Sequence, residues 1–283
     1  MAKVTARDRG QLLLVAGILL AVLFVALAVL VNAAIYTDNV ATRGGDPAEE
    51  ALTYQDGVTD AVGGLIEAEN AEAGAGEGFT DVDQRVRDGV SAIGVAAERN
   101  NLRRATTTET AVTGTREGRL IRERNVGDFE DWEANASAAR GFVIELDTDE
   151  MTEGSPLSID LDGTELEVNK TGGDVVVEGG TENVECRTNA DGTIRFDVTG
   201  ERLGDEPCRF GWPTFGATGD VGFENGTHAG GSYELTVASD DDPAWLAPET
   251  TPAVYSVEID LRVVTPELRY ETTVTVAPGE PDG

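Results

Sequence analysis

The side chains able to do bond-making chemistry are few. His228 is the only histidine of the chain and sits in Asn225-Gly226-Thr227-His228-Ala229-Gly230-Gly231, which reads as a loop. A Ser–His–Asp system needs a histidine as its base, but no nucleophile-elbow motif accompanies this one, so His228 reads as a surface residue. Zinc normally takes three or four His or Cys ligands, and His228, Cys186 and Cys208 are the only such side chains present. Gly74, Gly76 and Gly78 are not followed by the Lys and Ser/Thr that a phosphate-binding P-loop requires. Asp240-Asp241-Asp242 and the pair Asp160/Asp162 offer oxygen ligands to calcium or magnesium without the spacing of a calcium loop. Among 53 carboxylates, clusters of that size arise by chance. The expectation is therefore a protein that is not an enzyme, with no catalytic residue, no metal and no cofactor.

Two kinds of covalent feature remain. Cys186 and Cys208 are an even count, and in an exported domain an even count reads as one disulfide, closing a loop credited with roughly 3 kcal/mol by the chain-entropy model. Two structural thiols are the alternative. Asn135-Ala136-Ser137, Asn169-Lys170-Thr171 and Asn225-Gly226-Thr227 are N-glycosylation acceptors, a pattern of weak specificity that polar, turn-like surroundings strengthen.

Charge excludes more than motifs do. The 283 residues carry 53 acidic against 21 basic side chains, a net charge of −32. Nucleic-acid binding needs a cationic face, and none can be assembled. Only Lys3 and Lys170 are lysines, so nearly all basic residues are arginines. An acidic, arginine-rich surface looks like the habit of salt-loving archaea, where molar salt screens repulsion to a range of roughly 3 Å.

From Gln11 to Thr37 no side chain is charged, and Leu12 to Val31 is apolar throughout apart from Gly17. At about 1.5 Å per residue this stretch matches the roughly 30 Å hydrocarbon layer of a bilayer. Lys3, Arg7 and Arg9 precede it, and Asp38, Asp46, Glu49 and Glu50 follow, so the positive-inside bias predicts residues 1–10 in the cytoplasm and the C-terminal domain outside. Three fates compete for the segment: a signal peptide cut after Ala33, an uncleaved anchor, or cleavage between Gly10 and Gln11.

The last follows from a resemblance. Arg7-Asp8-Arg9-Gly10-Gln11, a short charged leader and a glycine running directly into the apolar helix, resembles the leader of archaeal type IV pilins, which a membrane peptidase cuts after the glycine. Many pilins carry Glu at the fifth mature position, whereas Val15 stands here. Over its length the chain also resembles an uncharacterised haloarchaeal family of single-pass, pilin-like envelope proteins, through Asp8 to Val15, Tyr36 to Arg43, and the segments Tyr270 to Val274 and Ala277 to Pro281. The resemblance implies partners in the membrane, through residues 11–36, and among other pilin-like envelope proteins. It implies no catalytic residue.

The elements that position these residues follow from periodicity. Asp46-Pro47-Ala48-Glu49 is a helix start, and Ala51, Tyr54, Val58, Val62 and Leu65 recur on one face. Val82, Val86, Val90, Ile93 and Ala97 make a second such stripe. Residues 105–140, rich in Thr, Arg and Asn, give no clear period. Beyond Phe142 the period becomes two: Leu157, Ile159 and Leu161 lead through Asp162-Gly163 into Leu166 and Val168, a hairpin signature. Further alternation around Phe196 and Leu235 and a long terminal hairpin through Pro266 predict eight or nine strands. The fold class expected is α+β: a cytoplasmic leader (1–10), a transmembrane helix (11–36), an extracellular helical stem (37–140) and an antiparallel β-sandwich ectodomain (141–283). The function expected is a membrane-anchored, pilin-like cell-envelope protein with a structural or interaction role. The alternative is an anchored ligand-binding or sensory ectodomain, which should show a concave pocket with convergent polar groups.

Overall fold

The two apolar stripes form helices α1 (Pro47–Glu72) and α2 (Phe79–Asn101), joined by a turn in which Gly78 N–H donates to Asp81 at 3.0 Å. The structure is a computed structural model that describes residues 47–101, 106–211, 213, 219–238 and 250–279. Contacts divide the chain into two units, Met1–Leu52 and Thr53–Gly283, and the architecture below is that of the second. Arg85 clamps the hairpin, reaching Glu69 on α1 at 2.6 Å and Glu77 in the turn at 3.0 Å. Val58, Val62 and Ile66 from one helix and Val82, Val86 and Val90 from the other are buried, and all six pack against a β-sheet.

That sheet has eight antiparallel strands. In chain order they are β1 (Thr107–Val126), β3 (Ala138–Asp147), β8 (Thr193–Asp197), β9 (Arg202–Leu203), β10 (Glu206–Pro207), β12 (Gly230–Ala238), β13 (Thr250–Val264) and β14 (Arg269–Val276). Their spatial order is β10-β9-β8-β3-β12-β1-β13-β14. A second, six-stranded sheet is built from β2 (Trp132–Ala136), β4 (Leu157–Leu161), β5 (Thr164–Thr171), β6 (Asp174–Gly179), β7 (Val184–Asn189) and β11 (Gly219–Glu224), ordered β2-β11-β4-β5-β6-β7. The β4–β5 hairpin turns at Asp162 (φ 52°) and Gly163 (φ 78°), the left-handed pair that an Asp-Gly hairpin requires.

Two cores result. Phe142, Ile144 and Leu146 of β3 and Tyr233, Leu235 and Val237 of β12 meet Leu157, Ile159, Leu166 and Val168 of the second sheet. Phe129, Trp132, Phe223 and Tyr233 cluster at one end, with Trp132 and Tyr233 stacked at 5.8 Å. The helices cover the other end of the large sheet, over Val254, Val257, Ile259, Leu261 and Val276. Burying a Val, Leu or Ile side chain is worth about 1.5–3 kcal/mol, so both covers are substantial.

The large sheet curls into a half-barrel. Bulges interrupt it between Arg116 and Glu117 on β1 and opposite Glu234–Thr236 on β3, where Gly141 takes φ 60°. The segment after β14 then crosses to β3, and Gly141 N–H donates to Gly279 O at 2.9 Å.

This architecture corrects the expected fold class. The protein is mostly antiparallel β, about half strand and a quarter helix, with two helices and a half-barrel sheet. No helical stem precedes a β-sandwich ectodomain: β1, β2 and the start of β3 lie inside the expected stem, and the helices share a core with β13 and β14. Among the described residues no helix is long and apolar enough to cross a membrane, because α1 and α2 each carry seven charged side chains. The expected single-pass localisation, N-terminus cytoplasmic and C-terminal domain extracellular, is corrected on the same finding. Residues 11–36, on which it rested, lie outside the described residues, as do Gly10 and Gln11.

Candidate functional site

Strand alternation that sends Phe142, Ile144, Tyr233, Leu235 and Phe196 into the core between the sheets sends their neighbours to the opposite, concave face. Helix α1 walls this face on one side, since it covers only the β13–β14 end of the sheet. An open groove of about 1400 Å³ remains. Its floor carries Glu145 on β3, Arg195 and Asp197 on β8, Ser232, Glu234 and Thr236 on β12, and Leu120 and Arg124 on β1. Glu67 and Asn70 of α1 face it from the wall, and Glu201 and Arg209 from the rim beyond β8.

Four arginines (124, 140, 195, 209) thus meet five carboxylates (67, 145, 197, 201, 234) in the groove, whereas the chain as a whole has 21 basic to 53 acidic side chains. The ion pairs are loose: Arg195 lies 3.9 Å from Glu145 and 4.0 Å from Asp197, and Arg124 3.7 Å from Glu234. At such separations these contacts are not hydrogen bonds, so these pairs leave donor and acceptor capacity facing the groove. The Ser232 hydroxyl accepts from Asn125 N–H at 3.0 Å, and Asp197 accepts from Gly200 N–H at 2.8 Å.

Two buried polar side chains hold the groove's shape. Strand β14 pairs with β13 only from Val257 onward, so among the described residues the backbone of Val254 faces no strand on that side. Asn70 replaces it: Nδ2 donates to Val254 O at 2.9 Å and Oδ1 accepts from Val254 N–H at 2.8 Å. Arg140, 3% exposed, donates to Tyr255 O at 2.9 Å, to Val254 O at 3.2 Å and to Pro278 O, with its guanidinium 5.4 Å from the Tyr255 ring centroid. It therefore ties β3 to β13 and to the closing segment. No sequence motif marks Asn70 or Arg140; one is a polar residue at the end of a helix stripe and the other falls in the stretch without a period.

The residues singled out from the sequence lie elsewhere. His228 ends a 3₁₀ turn (Gly226–His228), its Nδ1 3.3 Å from Pro156 O. Asp160 accepts from Gly163 N–H at 2.8 Å, which is turn chemistry, and Asp240–Asp242 lie outside the described residues. Among the described residues no group of three or more His, Cys, Asp or Glu is placed to hold a metal ion. Cys186 and Cys208 form a disulfide that joins β7, the edge of the second sheet, to the chain just after β10, the edge of the first. Asn225 is exposed in a left-handed turn (φ 59°). Asn169 is half-buried within β5, its Oδ1 without a partner among the described residues, and Asn135 lies in β2 opposite Asp220.

A strained electrostatic spot accompanies the aromatic cluster. Glu123 stands directly across from Tyr233. Its Oε2 and the Tyr233 hydroxyl are buried with no partner among the described residues. Burial raises the Glu123 carboxyl above its usual range, and the Glu130 charge adds to this while a backbone hydrogen bond at Glu130 opposes it. Burial, then the charges of Glu123 and Glu130, push the Tyr233 phenol well above its ordinary value.

Residues 6–152 match a family of unknown function, DUF7261. No curated protein and no solved structure matches the chain.

Proposed function

The chain belongs to this family of unknown function, and we propose that it acts by binding rather than by catalysis, in a structural or interaction role within the cell envelope of the pilin-like kind its sequence suggests. The groove beside α1 is the contact surface. The observation that supports this reading is its charge balance, four arginines to five carboxylates in a chain of net charge −32. A face that merely met solvent would have no need to depart from the acidic character of the rest. The volume of about 1400 Å³ and the open mouth exceed the roughly 300–1,000 Å³ of small-molecule pockets. That favours an extended partner segment, hydrogen-bonding to both signs of charge, over the alternative of a small sensed ligand. A photo-crosslinking residue placed at Glu145, in the groove, should give a discrete adduct with another envelope protein in intact cells. The same residue at Glu167, exposed on β5, should give none. No adduct at Glu145, or the same adduct from both positions, overturns the proposal.

A further inference from the structure

Among the described residues the β14 edge of the large sheet has neither a partner strand nor the Lys, Pro or bulge that blunts an edge. Sheets usually blunt their edges with short strands, Lys, Pro or bulges. Here β10 has two residues and contains Pro207, β2 has five residues, and β7 has six and is pinned by the Cys186–Cys208 bridge. Strand β14, in contrast, has eight residues, Arg-Tyr-Glu-Thr-Thr-Val-Thr-Val, with no Lys, no Pro and no register shift against β13. Among the described residues no strand pairs with its outer edge.

We infer that this edge is a self-association site, at which β14 pairs antiparallel with β14 of a second copy about a twofold axis through Thr273. Side chains opposite one another across an antiparallel pair share a face. An axis perpendicular to the sheet at Thr273 keeps the helices of both copies on one side. Thr273 then faces Thr273 of the second copy, Thr272 faces Val274, Glu271 faces Thr275 and Tyr270 faces Val276. Thr–Thr and aromatic–β-branched pairs are among the favourable cross-strand combinations, and like charges directly opposite are unfavourable. Side-chain pairing favours this register. Moving the axis to Thr272 brings the two Glu271 carboxylates onto a diagonal of about 7–8 Å, and moving it to Glu271 opposes them directly. With the axis at Thr273 each Glu271 meets only threonines. The outward face of the strand alternates exposed Arg269, Glu271, Thr273 and Thr275, so the paired sheet stays polar on its open side. No residue of β14 lines the groove, and the inference stands apart from the binding role proposed for it.

Two copies each of charge −32 repel, so the pairing needs salt. Sedimentation equilibrium of the full chain at about 3 M KCl, where the Debye length is under roughly 3 Å, should show a monomer–dimer equilibrium. Thr273→Lys replaces the Thr–Thr pair on the axis by two long side chains that crowd one another, and should weaken the dimer by about two- to fivefold. Thr273 is exposed, so the substituted monomer keeps its fold, checked by its circular dichroism. Thr273→Cys should oxidise to a covalent dimer, and Glu258→Cys, exposed on β13, should not. A chain that stays monomeric at high concentration in that salt overturns the inference. So does a dimer that Thr273→Lys leaves intact, or one that cross-links no better at position 273 than at 258.

Discussion

Replacing Asn70 by alanine tests the groove wall where one side chain stands in for a missing strand. The residue is 3% exposed and makes two hydrogen bonds to Val254, at 2.9 and 2.8 Å. After Asn70→Ala the Val254 carbonyl keeps Arg140 Nη2 at 3.2 Å, whereas the Val254 N–H loses its partner under the helix. A buried donor left unpaired costs about 1–3 kcal/mol, and a neutral hydrogen bond is worth about 1 kcal/mol net. The sum, about 2–4 kcal/mol with little cavity term, corresponds to a fall in melting temperature of roughly 4–16 °C for a unit of this size. Thermal unfolding at molar salt reads it, and hydrogen exchange at the Val254 amide should accelerate in parallel. Asn70→Asp should be worse than alanine, because a carboxylate can still accept from Val254 N–H but turns a buried charge toward the Val254 carbonyl. An Asn70→Ala variant within about 0.5 kcal/mol of the parent, or an aspartate better tolerated than alanine, would refute the claim that the amide acts as a substitute strand.

Arg140→Met should lower stability by about 2–4 kcal/mol by stranding the carbonyls of residues 255 and 278, while the Val254 carbonyl keeps Asn70 Nδ2; Arg140→Lys should not rescue it in thermal melts, since one ammonium lacks the planar fork. Reducing the Cys186–Cys208 bridge, which spans 22 residues, should cost roughly 3 kcal/mol, and non-reducing peptide mapping should recover the two cysteines joined. Glu123 has its carboxyl pKa raised in the folded state by burial, so folding binds a proton more tightly and stability falls as pH rises from the usual carboxylate range through the raised value. Glu123→Gln should therefore stabilise at neutral pH, with the gain fading in acid; a gain equal at both ends of a pH series of melts would refute this. With net charge −32, the melting midpoint should climb steeply from below about 0.1 M salt into the molar range, and a flat midpoint would show that self-repulsion does not limit the fold.

Local signals in the sequence located what local physics decides. Val58, Val62, Val82, Val86 and Val90 sit at helical spacing and are buried in α1 and α2, and Asp162-Gly163 turns the β4–β5 hairpin. Strand β1 shows no clear period because an extra residue breaks it twice, at Val112/Gly114 and at Glu123/Val126. Its helix-side and outward positions are moreover filled by Thr, Ala and Arg rather than by Val and Ile. Gly118 shows why: a Cβ there would lie 2.7 Å from Val237 O and 3.0 Å from Tyr255 Cβ, so the crowded centre of the sheet calls for a residue that looks like a loop residue in isolation. The expected stem ends, for the same reason, where alternation becomes visible, at Phe142, and not where the sheet begins with β1.

The groove was illegible for a different reason. Glu145, Arg195 and Glu234 alternate with core residues, and from sequence alone they are the solvent face of ordinary antiparallel strands. What makes them converge is curvature, and curvature comes from long-range closure: the Gly141 bulge, the bond from Gly141 to Gly279 and the reach of Arg140 to Pro278, which joins positions 138 residues apart. The covers of the large sheet complete the argument. Helices pack on the β13–β14 end, and the second sheet packs on the β3–β12 end. The reverse of the helix-covered end carries Glu109, Glu258, Asp260 and Glu271 with Arg262 and Arg269 on exposed positions, which repeats the acidic excess of the chain. The reverse of the other end is concave and near neutral. The same architectural gap occurs twice, and only the concave one departs from the charge that solvent alone would accept, so it is the curvature set by Arg140 and Gly141 that turns a bare sheet face into a site.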